Sequence, residues 1–146
     1  MTVAFRNVDV APGSPVESWP YEAIVTVIER GTVTDWLLLT AAFSRDPWGV
    51  VARQVEEYLG YEQPYGVGPL LTRAIARARS QAEARERAAV AQEVADLVAR
   101  SGLSLAELAS RIGTSRSRLS TYRSGSVTPS AALLLRLRTT VDALTS

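Results

Sequence analysis

The side chains able to do chemistry in this 146-residue chain are unevenly distributed. It has no cysteine and no histidine, which excludes disulfide scaffolds, thiol chemistry, Cys/His zinc sites and histidine general-base catalysis. That leaves a carboxylate-only site open, but carboxylates such as Glu22, Glu29, Glu56 and Glu57 read as solvated helix faces. All sixteen basic residues are arginine, whose planar fork matches phosphate and guanine edges in a way lysine cannot. Residues 1–72 hold four arginines against nine acids (net −5), whereas residues 73–146 hold twelve against six (net +6). A basic half on a chain of net charge +1 points to a polyanion partner for that half alone. The run from Ser115 to Arg123 concentrates the suitable types: Ser115, Arg116, Ser117, Arg118, Ser120, Thr121 and Arg123.

The segments around that run predict how it is held. Ser104-Leu105-Ala106-Glu107 has the S-x-x-E spacing of a capping box, which satisfies two orphan amides at a helix start. The helix that follows spans 105–112 and buries Leu108, Ala109 and Ile112. Gly113 provides the positive φ of a sharp turn, and Ser115 caps a second short helix over 116–124 with Leu119 and Tyr122 on one face. Gly125 closes it, and Pro129-Ser130 opens a last helix with Leu133, Leu134, Leu137, Val141 and Leu144 inward. Two short helices joined by a glycine turn, the second presenting Arg, Ser and Thr outward, form a helix-turn-helix. Its second helix would lie in the major groove of DNA.

With Gly102-Leu103-Ser104-Leu105-Ala106-Glu107-Leu108-Ala109, then Ile112-Gly113-Thr114-Ser115, Leu119-Ser120, Gly125 and Pro129, residues 88–140 resemble the Cro/cI-type (XRE) helix-turn-helix family. The resemblance implies a lambda-repressor-like five-helix domain that binds palindromic operators in double-stranded DNA as a homodimer. It assigns base reading to Arg116, Ser117, Ser120 and Thr121, and phosphate contacts to Ser115 and Arg118. Arg116 can fork onto guanine, Thr121 can offer a hydroxyl or methyl, and Arg118 and Arg123 suit phosphates. The sequence departs from the family at three places. Leu105 stands where a polar residue often contacts the backbone. Val98 and Arg123 replace an Arg–Glu pair, and Ser126-Val127-Thr128 lacks the usual basic residues. Fewer phosphate contacts imply weaker, more dimer-dependent binding.

The rest of the chain reads as helix too, giving an all-α fold with an N-terminal helical domain ahead of the helix-turn-helix domain. Residues 1–17, with Pro12-Gly13-Ser14-Pro15, read as extended. A first helix runs from Ser18 as N-cap, through Pro20, to Gly31; Thr32 and Asp35 open a second, ending near Ser44. A third starts at Asp46-Pro47 and ends at Leu59-Gly60, burying Val51, Val55, Tyr58 and Leu59, before a Gly/Pro/Tyr loop over 60–68. After Pro69, the residues up to 101 hold no Gly or Pro, and 69–101 form one long helix or two; the polar stretch 79–87, without an apolar stripe, is where the domain boundary is expected. The expected domains are 1–17 (extended), 18–80 (dimerisation or partner binding) and 81–146 (DNA binding). Trp19, Trp36, Trp48 and most of the tyrosines lie in the acidic half, as core filling or as a protein interface.

These observations predict a transcriptional regulator, a repressor, with no cofactor, no metal and no enzymatic activity. The alternative is an antitoxin, in which residues 18–80 mask a toxin while the helix-turn-helix represses the pair's promoter. A third possibility is an adaptor that has lost DNA binding. The opening MTVAFRNVDVAPGSP lacks a signal-peptide pattern, and no apolar run approaches the roughly 20 residues of a membrane span, so a soluble cytoplasmic protein is expected.

Overall fold

The structure is a computed structural model that describes residues 13–146; the predicted extended segment therefore lies largely outside the described residues. Those residues form a single 3-10 turn, Val16–Ser18, and seven α-helices: α1 (Tyr21–Arg30), α2 (Val33–Arg45), α3 (Val50–Tyr61), α4 (Val67–Ser101), α5 (Leu105–Ile112), α6 (Arg116–Ser124) and α7 (Ala131–Thr145). The chain divides into two compact units between Ala82 and Glu83, inside α4.

In the first unit α1, α2, α3 and the start of α4 enclose a core of Ile24, Val27, Ile28, Leu39, Phe43, Val55, Leu71 and Ile75. The opening of α2 follows its sequence signal closely. Asp35 donates its N–H to the Thr32 hydroxyl (3.4 Å), while its carboxylate accepts from the Thr32 N–H (2.9 Å), a complete capping box. Asp35 is buried, so this exchange also supplies partners for a carboxylate that would otherwise be costly to desolvate. Nearby, Trp36 donates its indole N–H to the Val27 carbonyl (2.8 Å), which ties α2 to the last turns of α1.

Several predicted boundaries move, for local reasons. Ser18 does not cap α1: it belongs to the 3-10 turn, its hydroxyl donates to the Pro15 carbonyl (2.7 Å), and extended Pro20 is the N-cap. Asp46-Pro47 lies in a turn closed by the Gly49 N–H on the Asp46 carbonyl (3.0 Å), and α3 starts only at Val50. Gly60 and Gly68 are helical, so the predicted 60–68 loop shrinks to residues 62–66. Residues 69–101 are one helix; α4 begins at Val67, with Pro69 in its first turn, where a missing N–H costs nothing.

Two of the carboxylates expected to be simply solvated are partnered. Arg79 grips Glu56 through two parallel bonds (2.9 and 2.6 Å) and donates its third, Nε, to the Pro47 carbonyl (2.9 Å). This hydrogen-bonded guanidinium holds Glu56 below its ordinary pKa. Glu29 accepts from the Tyr58 hydroxyl (2.9 Å), and burial together with that carboxylate pushes the phenol up to about 12. The aromatics divide between the two expected roles: Tyr58 is buried and Trp19, Tyr21 and Trp36 pack on the core, whereas Trp48, Tyr61 and Tyr65 are exposed.

The second unit closes the second half of α4 with α5, α6 and α7 over Val94, Leu97, Val98, Leu108, Ala109, Ile112, Leu119, Leu137 and Val141. These are four helical segments among the described residues, where the family resemblance implies five. Leu144, predicted inward, is exposed on the last turn of α7, beyond the reach of that core.

Candidate nucleic-acid interface

Three serines start the helices of this unit in the same way. Ser104 accepts from the Glu107 N–H (3.2 Å), Ser115 from the Arg118 N–H (3.1 Å) and Ser130 from the Leu133 N–H (3.1 Å). The predicted capping box at Ser104 is only half formed, because the Glu107 carboxylate turns outward to Arg111 (3.4 Å). Gly113 ends α5 in the left-handed region (φ 77°), where the Gly113 N–H reaches the Ser110 carbonyl (3.3 Å) and the Thr114 N–H reaches Ala109 (3.0 Å), a Schellman motif. From α7, Arg136 donates to the Ile112 carbonyl (2.8 Å), placing a cation on the negative end of the α5 dipole. The turn between α5 and α6 is thus held from inside by backbone bonds and from α7 by a guanidinium.

α6 is positioned by little apolar surface. Leu119 is completely buried and Tyr122 packs on the same core, while the other seven residues of the helix are exposed or half-buried. Arg116, Ser117, Ser120, Thr121 and Arg123 line a shared surface groove of about 500 Å³ that also touches Leu105 at the start of α5. All four residues assigned to base reading are therefore brought together. The phosphate assignments divide. Arg123 joins this groove, whereas Ser115 caps the helix and Arg118, two positions from Arg116, lies outside it. The Thr121 hydroxyl donates to the Arg118 carbonyl (2.6 Å), which leaves its oxygen free only to accept a further bond. Ser115 uses an oxygen lone pair for its cap and keeps its O–H for a further acceptor.

The arginines of this unit sort by partner. Arg100 pairs with Asp142, Arg111 with Glu107 and Arg138 with Glu93, and Arg136 is spent on the α5 carbonyl. Arg116, Arg118 and Arg123, all exposed, make no ion pair or side-chain hydrogen bond among the described residues. Val98, at the position of a family arginine, is buried in the core, so Arg123 faces no partner there. Cationic side chains on an exposed helix face, free of carboxylates, with hydroxyls between them, make a surface for an anionic, hydrogen-bonding polymer.

Among the described residues no helix is long and apolar enough to cross a membrane, and no group of acidic residues could hold a metal ion. No curated protein and no solved structure matches the chain. Residues 94–140, about a third of the length, match a protein-family model described as Helix-turn-helix. The match begins in the last turns of α4 and ends in α7, covering the helix pair, its glycine turn and the core that supports them. The C-terminal part of this chain is a helix-turn-helix domain of the XRE type.

Proposed function

We propose that the protein is a sequence-specific transcriptional repressor that binds palindromic operator DNA as a homodimer, with α6 in the major groove. The observation that carries this reading is the groove on α6, where Arg116, Ser117, Ser120 and Thr121 stand together and Arg116 has no competing carboxylate. Arg116 forks onto a guanine, Ser117, Ser120 and Thr121 contact neighbouring base edges, and Ser115, Arg118 and Arg123 hold phosphates on either side. Palindromic half-sites require two copies, and the first unit, with its own core, is the element free to supply dimer contacts. Fluorescence anisotropy with the DNA immediately upstream of the gene, against shuffled DNA, tests the reading. Specific binding that weakens steeply with salt supports it, and equal weak binding to both duplexes overturns it.

A second reading, an antitoxin whose first unit masks a toxin, draws on a different observation. On α2, Val33 and Leu37 are 63% and 59% exposed, and Tyr61 and Tyr65 on and after α3 stand in solvent. Apolar and aromatic side chains left outside suit a protein partner. Co-purification with the product of an adjacent gene, lost on Leu37→Asp, is the expected outcome under this reading.

A further inference from the structure

The recognition face has a neighbour that the helix-turn-helix motif does not include. The end of α6 comes against α4 at Ala91: a Cβ placed on Gly125, itself at φ +86°, would lie 3.3 Å from the Ala91 Cβ. Beside this contact runs a second groove, of about 420 Å³, whose walls include Ala88, Ala91, Gln92, Arg87, Arg123 and Ser124. Arg123 lines both grooves and so joins the base-reading face to the groove on α4. Arg87 lies one helical turn before Ala91 on the same face of α4.

Arg87 is exposed and makes no ion pair among the described residues. Glu83, at i−4 on the same helix, makes none with it and does not line the groove. No carboxylate lines the groove, and Gln92 on its wall donates its amide N–H to Asp96 (2.9 Å). Two arginines without a carboxylate partner thus line one groove walled by alanines. The small walls leave an anion room to approach both. The lined surface runs from Arg116, through Arg123, to Arg87.

We propose that Arg87 is a DNA-phosphate contact, which with Arg123 extends the bound backbone past the helix-turn-helix onto α4. This rests on the DNA-binding reading above and adds a residue that the family match, starting at residue 94, does not reach. The ligand is the duplex backbone, because the groove is a continuation of the recognition face rather than a separate cavity.

The test compares full-length wild type with Arg87→Ala, Arg87→Lys and Arg85→Ala on a random-sequence duplex and on the upstream DNA, by anisotropy across salt. Arg85 is exposed on the same helix two residues earlier and lies outside the groove. Arg87→Ala should lower affinity for both duplexes alike and reduce the log–log salt slope by about 0.9 per bound subunit. Its deficit relative to wild type should then shrink by about threefold between roughly 50 and 200 mM salt. Arg87→Lys should keep most of the slope, and Arg85→Ala should keep all of it. Unchanged affinity and slope in Arg87→Ala, or an equal loss in Arg85→Ala, would overturn the assignment. A wild-type chain that binds neither duplex would instead defeat the DNA-binding reading itself. Matching thermal melts of the variants exclude misfolding as the cause of any loss.

Discussion

α5 and α6 are nearly equal in length, both open on a serine that caps the third amide and both end on a left-handed glycine, yet they do opposite work. α5 buries Leu108, Ala109 and Ile112, and its one arginine is paired on its own surface with Glu107. α6 buries only Leu119, and none of its three arginines has a carboxylate. The contrast shows how a small domain leaves most of one helix surface uncovered. Caps and a single anchor replace the broad apolar face, so most of the helix circumference is left for a partner. The same economy makes α6 sensitive to losing Leu119, its one fully buried side chain.

The sharpest way to break this comparison is to remove the anchors. Leu119→Ala and Ile112→Ala delete completely buried side chains, and each should cost about 2–5 kcal/mol in urea unfolding. At α6 the loss should also abolish DNA binding, since Leu119 is its one fully buried attachment. A change below about 1 kcal/mol at Leu119 would mean that the helix is held otherwise.

Next in size is Arg116→Ala. Discrimination between operator and random duplex should fall by about 1–3 kcal/mol with the urea midpoint unchanged, which places the effect on recognition rather than folding. An unchanged ratio removes Arg116 from the specificity role. Arg111→Ala on α5, by contrast, should leave discrimination intact, because that side chain is engaged with Glu107.

The caps should behave alike in the two helices. Ser104→Ala and Ser115→Ala are each expected to lower stability by about 1 kcal/mol, a difference readable in chemical denaturation. A much larger loss at Ser115 would show that its hydroxyl holds more than the Arg118 amide.

The smallest effect concerns pH. Arg138 donates two bonds to Glu93 and holds its carboxyl below the ordinary value. A carboxyl lowered on folding adds stability above its unfolded pKa, and that stability disappears as pH falls through the lowered folded value. Glu93→Gln should therefore flatten the decline in melting temperature on the acid side of about pH 4.5, with little change at neutral pH, because the pair is partly exposed.

The helix-turn-helix was legible because its signals are local. Ser104, Ser115 and Ser130 satisfy amides three residues on, and Gly113 and Gly125 occupy positions that disfavour a Cβ. The residues proposed to read bases came from the family resemblance, position by position, and they line one groove. What escaped depends on contacts distant in sequence. Glu56 and Glu29 resembled solvated carboxylates because Arg79 and Tyr58 lie 23 and 29 positions away. Ser18 resembled an N-cap, but its hydroxyl is engaged backward by Pro15. Arg136 gave no hint in the sequence that it closes α5, and Arg87 looked like one more arginine on a polar helix until Gly125 brought the end of α6 beside it. The polar stretch 79–87, where a break was one expectation, stays helical because Ala, Arg, Glu and Gln are all strong helix formers.

The central claim is that unpaired arginines and hydroxyls on α6 read DNA. It is tested most directly by anisotropy of the full-length chain with the duplex immediately upstream of its gene, against a shuffled duplex, over a salt series. The account predicts a preference of about 10³ or more for the upstream duplex, with affinity falling steeply as salt rises. Equal, weak and salt-insensitive binding to the two duplexes would contradict it.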